Sequence, residues 1–402
     1  MTSKINVENA LGISKISTEM LRDTRTSIKW ANCQTDVLPM FIAEMDFTVD
    51  KRITSALVEQ IERSDLGYAE DLTDLVAAFS SFAKKRWGWS PDQKSFFGAP
   101  DVSFGVKAAL RHFVPKGAKV ALTTPVYPSF FNYLQDLELE CVEIPLVGEG
   151  EQMRIDTDAL AAAFNAPGDQ RVHALILSNP HNPHGIAHSK KDLEALAVAS
   201  QQSGALIISD EIHAPLVHEP SNFNPFAPIA AEHGATSVVV TSASKGWNVA
   251  GTKCAFVYAP PEIAPDSFRE YLSISLGYSV SILGRTANTV AFGECEDWLD
   301  AAIKQVKENS LELVNLLKEH VPGAKYTPPQ SSYLAWIDLR EAGLGDAPAQ
   351  TILQKARVNV SDGAGFGENG AGFIRLNMGC TPELLRDAIR RIGEATVPTH
   401  KG

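Results

Sequence analysis

The sequence predicts an α/β protein built on a mostly parallel sheet, followed by a smaller α+β unit. Three observations carry the prediction. Short apolar runs alternate with helical patterns between residues 118 and 244, which is the arrangement of strands joined by crossover helices. The pattern turns mainly helical from about 281 to 320 and strand-like again beyond it. A chain of 402 residues is long for a single hydrophobic core, so two domains of unequal size are expected.

The elements follow in order. "APDVSFGVKAALRHFV" (99 to 114) reads as a turn entering an amphipathic helix. The apolar runs are "AKVALTTP" (118 to 125), "HALILSNP" (173 to 180), "ALIISDEI" (205 to 212) and "SVVVTSAS" (237 to 244), and each ends in polar or special residues. Between the second and third lies "SKKDLEALAVASQQSG", where Ser189 and Asp192 form a capping-box pattern and Gly204 supplies a stop. That spacing predicts a helix of about three turns, enough for a right-handed crossover. "SSYLAWIDLR", "ARVNV" and "GFIRLNMG" read as strands of the second domain.

Composition narrows the function classes. With 44% hydrophobic and 21% charged residues the chain is an ordinary soluble protein. A net charge of −12 leaves no basic footprint for nucleic acid or an anionic membrane surface. No run reaches the roughly 18 apolar residues of a membrane span. The polar start "MTSKINVENA" lacks the apolar centre of a leader peptide, which points to the cytoplasm. Five scattered cysteines without a CxxC pair read as reduced and mostly packed, and no metal site is expected.

Ligands of open parallel sheets bind outside the carboxyl ends of the strands. The residues that end the runs therefore converge: Tyr127, Asn182, Asp210 with His213, and Lys245. Singly, each has a plain explanation. Lys245 is either a solvated loop residue or a positioned amine, and Asn182 in a proline-rich turn serves turns well. Together, an aromatic, an amide, a carboxylate and an amine suit a planar aldehyde cofactor with a ring nitrogen.

"NPHNPHG", "SDEIH" and "SASKGWNVAG", joined by "FIAEMDF", "SSYLAWIDLR" and "GFIRLNMGC", carry a resemblance over residues 41 to 380. The chain resembles the fold-type I enzymes of pyridoxal 5′-phosphate (PLP) in the class I/II aminotransferase superfamily, within the MalY/PatB-like branch of cystathionine β-lyases and cysteine C–S lyases. The resemblance implies a large PLP-binding domain over 49–285 with a mostly parallel seven-stranded sheet. It implies a small α+β domain over 286–402, to which the segment 1–48 belongs. Lys245 would hold PLP as a Schiff base and later take the Cα proton. Asp210 would pair with the pyridine nitrogen, Asn182 and His213 would approach the ring oxygen, and Tyr127 would stack on the ring. His213 serves equally well as a core histidine.

The same resemblance implies a phosphate cradle from the amides of Asp101 and Val102 at a helix N-terminus, with Ser242, Ser244 and Lys253. The chain departs from the family at two of these positions. Many relatives have glycine in place of Asp101, whose carboxylate repels phosphate, and an arginine in place of Lys253, which lacks the bidentate fork. Tyr68 matches a tyrosine that reaches the neighbouring subunit's site, which implies a homodimer with shared sites. Arg375 interrupts an apolar strand, where a buried guanidinium needs an anion; the family uses this arginine for the substrate α-carboxylate. Glu44 and Met45 resemble the segment that lines the substrate mouth.

"GFGENG" (365 to 370) satisfies the dinucleotide fingerprint, yet a strand-like segment follows it and no helix does. NAD is rejected and the motif is a glycine-rich turn. The expected activity is therefore a C–S β-lyase acting on cystathionine or S-substituted L-cysteine, within amino-acid metabolism and methionine biosynthesis. An aminotransferase is the alternative, since the same residues serve both reactions. A non-enzymatic regulatory protein on the PLP fold stands third, disfavoured by the retained lysine and the absence of a basic patch.

Overall fold

The computed structural model describes residues 13, 16–31, 33–69, 71–276 and 278–396. The polar start at 1–10, from which a cytoplasmic location is expected, lies outside the described residues. The expected large sheet is present with seven strands, in the spatial order Phe96–Ala99, Ala255–Tyr258, Ser237–Thr241, Leu206–Asp210, Val172–Ser178, Lys119–Leu122 and Glu140–Glu143. Only Ala255–Tyr258 runs antiparallel to both of its neighbours, and the rest of the ladder is parallel. All four apolar runs are strands of this sheet.

Alternation along the strands feeds two cores. Leu175, Leu177, Ile207 and Val239 pack on one face, while Ala174, Ile176, Ile208 and Val238 pack on the other. Helices cover both faces, as a parallel sheet requires. The helix Lys190–Ser203 begins where Ser189 accepts the Asp192 amide and ends at Gly204 in the left-handed region. The helix Val102–Phe113 lies so close to the sheet that a Cβ on Gly105 would stand 2.7 Å from Val240 and 2.8 Å from Val257. Only a glycine permits that approach.

The small domain is an antiparallel sheet of Ser361–Asp362, Phe373–Asn377, Leu334–Asp338 and Lys325–Tyr326, backed by the helix Pro382–Thr396. "ARVNV" differs from expectation. Its Val358–Asn359 pairs with Leu38–Pro39 of the N-terminal segment and does not join the small sheet. Ile16, Leu21, Trp30, Leu38 and Met40 pack into the small-domain core, whereas Met45 and Phe47 pack into the large one.

The apolar clusters divide inside the long helix Glu296–His320. Trp298, Leu299, Ala302 and Val306 face the large core, and Leu313 and Leu317 face the small one. One uninterrupted helix thus serves both cores.

Candidate active site

The carboxyl ends of the parallel strands open onto a cavity of about 290 Å³ between the two domains. The register that sets Ser178 beside Asp210 also sets Asp210 beside Val240, so the loops that follow these strands leave the sheet together. They deliver Asn182, His213, Ser244 and Lys245 to the cavity wall, with Tyr127 from the neighbouring loop. Asp101, Val102 and Lys253 close one end, and Arg375 enters from the small domain.

Lys245 is half-buried, and its Nζ donates to the backbone carbonyl of Ala43 at 2.8 Å. Burial pushes its ammonium down to about 8, with Arg375 adding to the fall and Glu44 and Asp210 opposing it. At pH 7 about a tenth is therefore the free amine, far more than for an ordinary lysine. Asp210 is buried, and burial pushes its carboxyl up to about 7 against the pull of the Ile212 amide and Lys245. Its Oδ1 accepts that amide at 3.1 Å. A cationic ring nitrogen placed against this carboxyl would restore its charge.

His213 is buried and also lines the cavity, so it is a packed histidine and a site residue at once. Its Nδ1 lies 3.1 Å from Ser332 Oγ. Burial, then Lys245 and Arg375, push it down to about 3, so the ring is neutral.

Arg375 is 6% exposed. Among the described residues its hydrogen bonds go to neutral acceptors: Nη1 to Asn182 Oδ1 at 3.1 Å, and Nη2 to the Phe41 carbonyl at 3.1 Å and Ser361 Oγ at 3.3 Å. Its Nε has no acceptor, and burial pushes the guanidinium down to about 10. A buried cation left in this state calls for an anion from outside the chain.

The opposite end of the cavity is a mixed cradle. Asp101 caps the helix Val102–Phe113, where its carboxylate accepts the Ser103 amide and hydroxyl. Its other oxygen takes Lys253 Nζ at 3.1 Å. Burial opposes the charge on Asp101, but the Ser103 bond and Lys253 outweigh it and hold the carboxyl below its usual range. The helix N-terminus and Lys253 suit an anionic group there, with Asp101 partly cancelling the lysine.

Two sequence expectations differ from the geometry. Ser242 does not line the cavity: its hydroxyl donates to the Cys254 carbonyl at 2.6 Å and accepts the Ser244 amide at 3.0 Å, so it braces the turn and leaves Ser244 at the wall. Glu44 also stays off the wall, its Oε1 accepting Ser27 Oγ at 2.6 Å. Its neighbours Ile42 and Ala43 take that position. Tyr68, expected at a second subunit's site and not at this chain's own, is 85% exposed and edge-on to Tyr278.

The sequence reading missed the Ala43 carbonyl, Phe130 and Tyr133 on the wall, and Tyr333, whose hydroxyl donates to that same carbonyl at 3.0 Å. A backbone carbonyl has no sequence signature, but a tyrosine inside the apolar "SSYLAWIDLR" signals a buried hydroxyl seeking a partner.

Comparison with known proteins agrees with this geometry. The family model for aminotransferase class I and II matches residues 93–392. Cystathionine beta-lyase of Corynebacterium glutamicum is 33% identical, over 93% of this chain and 97% of that protein. Cystathionine beta-lyase PatB of Bacillus subtilis is 31% identical, over 92% and 96%. The crystal structure of cystalysin from Treponema denticola, which contains a pyridoxal 5′-phosphate cofactor, superposes with a TM-score of 0.86 at 26% identity, covering 96% of this chain and 98% of that one. The chain belongs to the aminotransferase class I and II family.

Proposed function

We propose that this protein is a PLP-dependent carbon–sulfur β-lyase that converts cystathionine or an S-substituted L-cysteine, with one water, to pyruvate, ammonia and a thiol. The observation that carries the reading is the trio lining one cavity: a half-buried amine with a loosened proton at Lys245, a buried carboxyl at Asp210, and a buried guanidinium without an acidic partner at Arg375. The trio fits an aromatic aldehyde cofactor together with an amino acid.

PLP, when bound, supplies the electron sink that makes a Cα proton removable. Lys245 Nζ would hold the cofactor, and its free amine would be the base for that proton. Asp210 would pair with the pyridine nitrogen, Asn182 and neutral His213 would approach the ring oxygen, and Tyr127 would stack on the ring. The amides of Asp101 and Val102, with Ser244 and Lys253, would hold the phosphate. Arg375 would grip the α-carboxylate through parallel hydrogen bonds, and Ile42, Phe130 and Ile212 add apolar wall to the same cavity. Departure of a thiolate from Cβ then competes with return of the proton.

Transamination would use the same residues. The lyase reading is preferred because relatives at 31% and 33% identity carry that name. A homodimer is part of the proposal, with Tyr68 reaching the second subunit's site. Exposed Val58, Ile61, Leu66 and Tyr278 supply apolar surface for such a partner. A cytoplasmic role in amino-acid metabolism, methionine biosynthesis included, accords with free thiols at Cys254, Cys295 and Cys380.

Borohydride reduction of the holoenzyme followed by peptide mapping tests the site. The pyridoxyl group is expected on Lys245, and label on another lysine defeats the assignment. A panel of S-substituted cysteines assayed for pyruvate tests the substrate class, and a panel without pyruvate release refutes it.

A further inference from the structure

The glycine-rich turn "GFGENG" is not a dinucleotide site, and the reaction as proposed gives it no task. Its placement does. The turn leaves the small sheet at Ser361–Asp362 and docks on the large domain. The Phe366 carbonyl accepts the Val126 amide at 2.7 Å, Asn369 Nδ2 donates to the Thr124 carbonyl at 3.2 Å, and the Glu368 amide donates to Glu143 Oε2 at 3.0 Å. Thr124 and Val126 lie immediately before Tyr127. Gly367 sits at φ +126°, and a Cβ there would stand 2.6 Å from Glu143 Oε2 and 2.8 Å from Thr124. Both the conformation and the space demand glycine.

On its inner side the turn presents Phe366, 1% exposed. The Arg375 guanidinium carbon lies 5.0 Å from the centroid of that ring. Behind Phe366 stands Trp336 at 5.1 Å, stacked at 7° on Phe373, over which Arg340 lies at 4.8 Å. Three rings thus stand between two guanidiniums. Arg340 is neutralised by Asp338, whereas Arg375 has only neutral acceptors at its Nη atoms and none at Nε. Those acceptors fix the tips of the fork. The Phe366 ring is what lies against the guanidinium carbon.

We propose that Phe366, seated by the Gly367 turn, is a positioning residue that orients Arg375 for the α-carboxylate of the substrate. This deepens the reading of Arg375 as the carboxylate-binding residue and rests on it. The ring covers one face of the guanidinium, so a carboxylate meets the fork edge-on, in the plane that gives two parallel hydrogen bonds. Because the turn is also bonded to the residues before Tyr127, one loop registers the carboxylate fork against the cofactor side of the cavity.

The test titrates the holoenzyme with glycine and, separately, with methylamine, and follows the absorption of the bound cofactor. Glycine carries the α-carboxylate but no Cβ, so elimination does not interfere; methylamine lacks the carboxylate. Phe366→Leu keeps apolar bulk and loses the ring, Phe366→Tyr keeps the ring, and Gly367→Ala displaces the turn. Phe366→Leu and Gly367→Ala are expected to weaken glycine binding by about tenfold, within the range of a desolvated cation–π contact. In Phe366→Leu, methylamine binding and cofactor retention should stay as in the wild type, and Phe366→Tyr should keep wild-type glycine binding. Equal weakening of both ligands would reduce the turn to a structural element, and undiminished glycine binding in Phe366→Leu would remove the role; either overturns the proposal while leaving the lyase reading intact. A wild-type protein that takes up no PLP would overturn the functional reading and this inference with it.

Discussion

The Lys245 amine donates to the Ala43 carbonyl across 2.8 Å, although 202 positions separate the two residues. Tyr333 donates to the same oxygen, so a carbonyl of the N-terminal segment collects two donors far from it in sequence. The bond holds Lys245 toward the cavity. Burial, then Arg375, bring its ammonium down to about 8.

Cofactor capture should follow that ionisation. Nucleophilic attack needs the free amine, so the rate at which the apoprotein takes up PLP should rise through about pH 8 and level off above it. Stopped-flow absorption across pH 6 to 10 reads this, and a rate that falls as pH rises would contradict it.

The Ala43 segment is itself clamped. Lys29, fully buried, donates to the Glu44 carbonyl at 2.9 Å and pairs with Asp46 at 2.8 Å, and Trp30 Nε1 adds a bond to the same carboxylate. Lys29→Met should leave Asp46 charged, buried and without its cation, at a cost on the order of 3 to 5 kcal/mol. Urea unfolding measures it, and a loss under about 1 kcal/mol would mean that Asp46 finds another partner.

Asp101 and Lys253 should act on PLP affinity with opposite signs. Asp101→Asn keeps an oxygen for the Ser103 amide but frees Lys253 and removes a negative charge from the cradle. The pair is partly exposed, so PLP should bind about twofold to fivefold tighter in Asp101→Asn. Lys253→Ala should bind it more weakly. Equilibrium titration decides, and weaker binding in both variants would mean that the ion pair as a unit forms the cradle.

Glu211, next to Asp210, is buried and accepts the Phe226 amide and Ser209 Oγ. Burial pushes its carboxyl up to about 8 from 4.5, against those bonds. The protonated form is therefore favoured by folding. Its stabilising effect is fully present below pH 4.5 and lost as pH rises through about 8. Glu211→Gln keeps an acceptor and removes the titration, so its thermal midpoint should fall less than that of the wild type between pH 5 and 9, by a difference on the order of a few kcal/mol in stability. Parallel pH profiles would contradict this.

Much of this architecture is legible in the sequence where burial is strongest. Central strands such as Val172–Ser178 and Leu206–Asp210 are covered on both faces and read as unbroken apolar runs. The edge strand Glu140–Glu143 does not, because half of it is solvent-exposed and two of its four residues are charged. Asp210, Asn182 and Lys245 are legible because side chains at strand ends must converge. Ser242 misleads because the hydroxyl type is visible in sequence and its direction is not: Cys254, twelve residues on, claims it. The Ala43 carbonyl is invisible for a deeper reason, since its role depends on backbone path and no side chain marks it.

The central claim is that Lys245, Asp210 and Arg375 serve elimination at Cβ, and product analysis tests it most directly. The holoenzyme is given L-cystathionine or an S-substituted L-cysteine with no 2-oxo acid present, and pyruvate and free thiol are quantified together. The account predicts sustained turnover with the two products in equal amounts. A single round that leaves the cofactor in its pyridoxamine form, with no thiol released and turnover restored only by adding a 2-oxo acid, would contradict it and establish an aminotransferase.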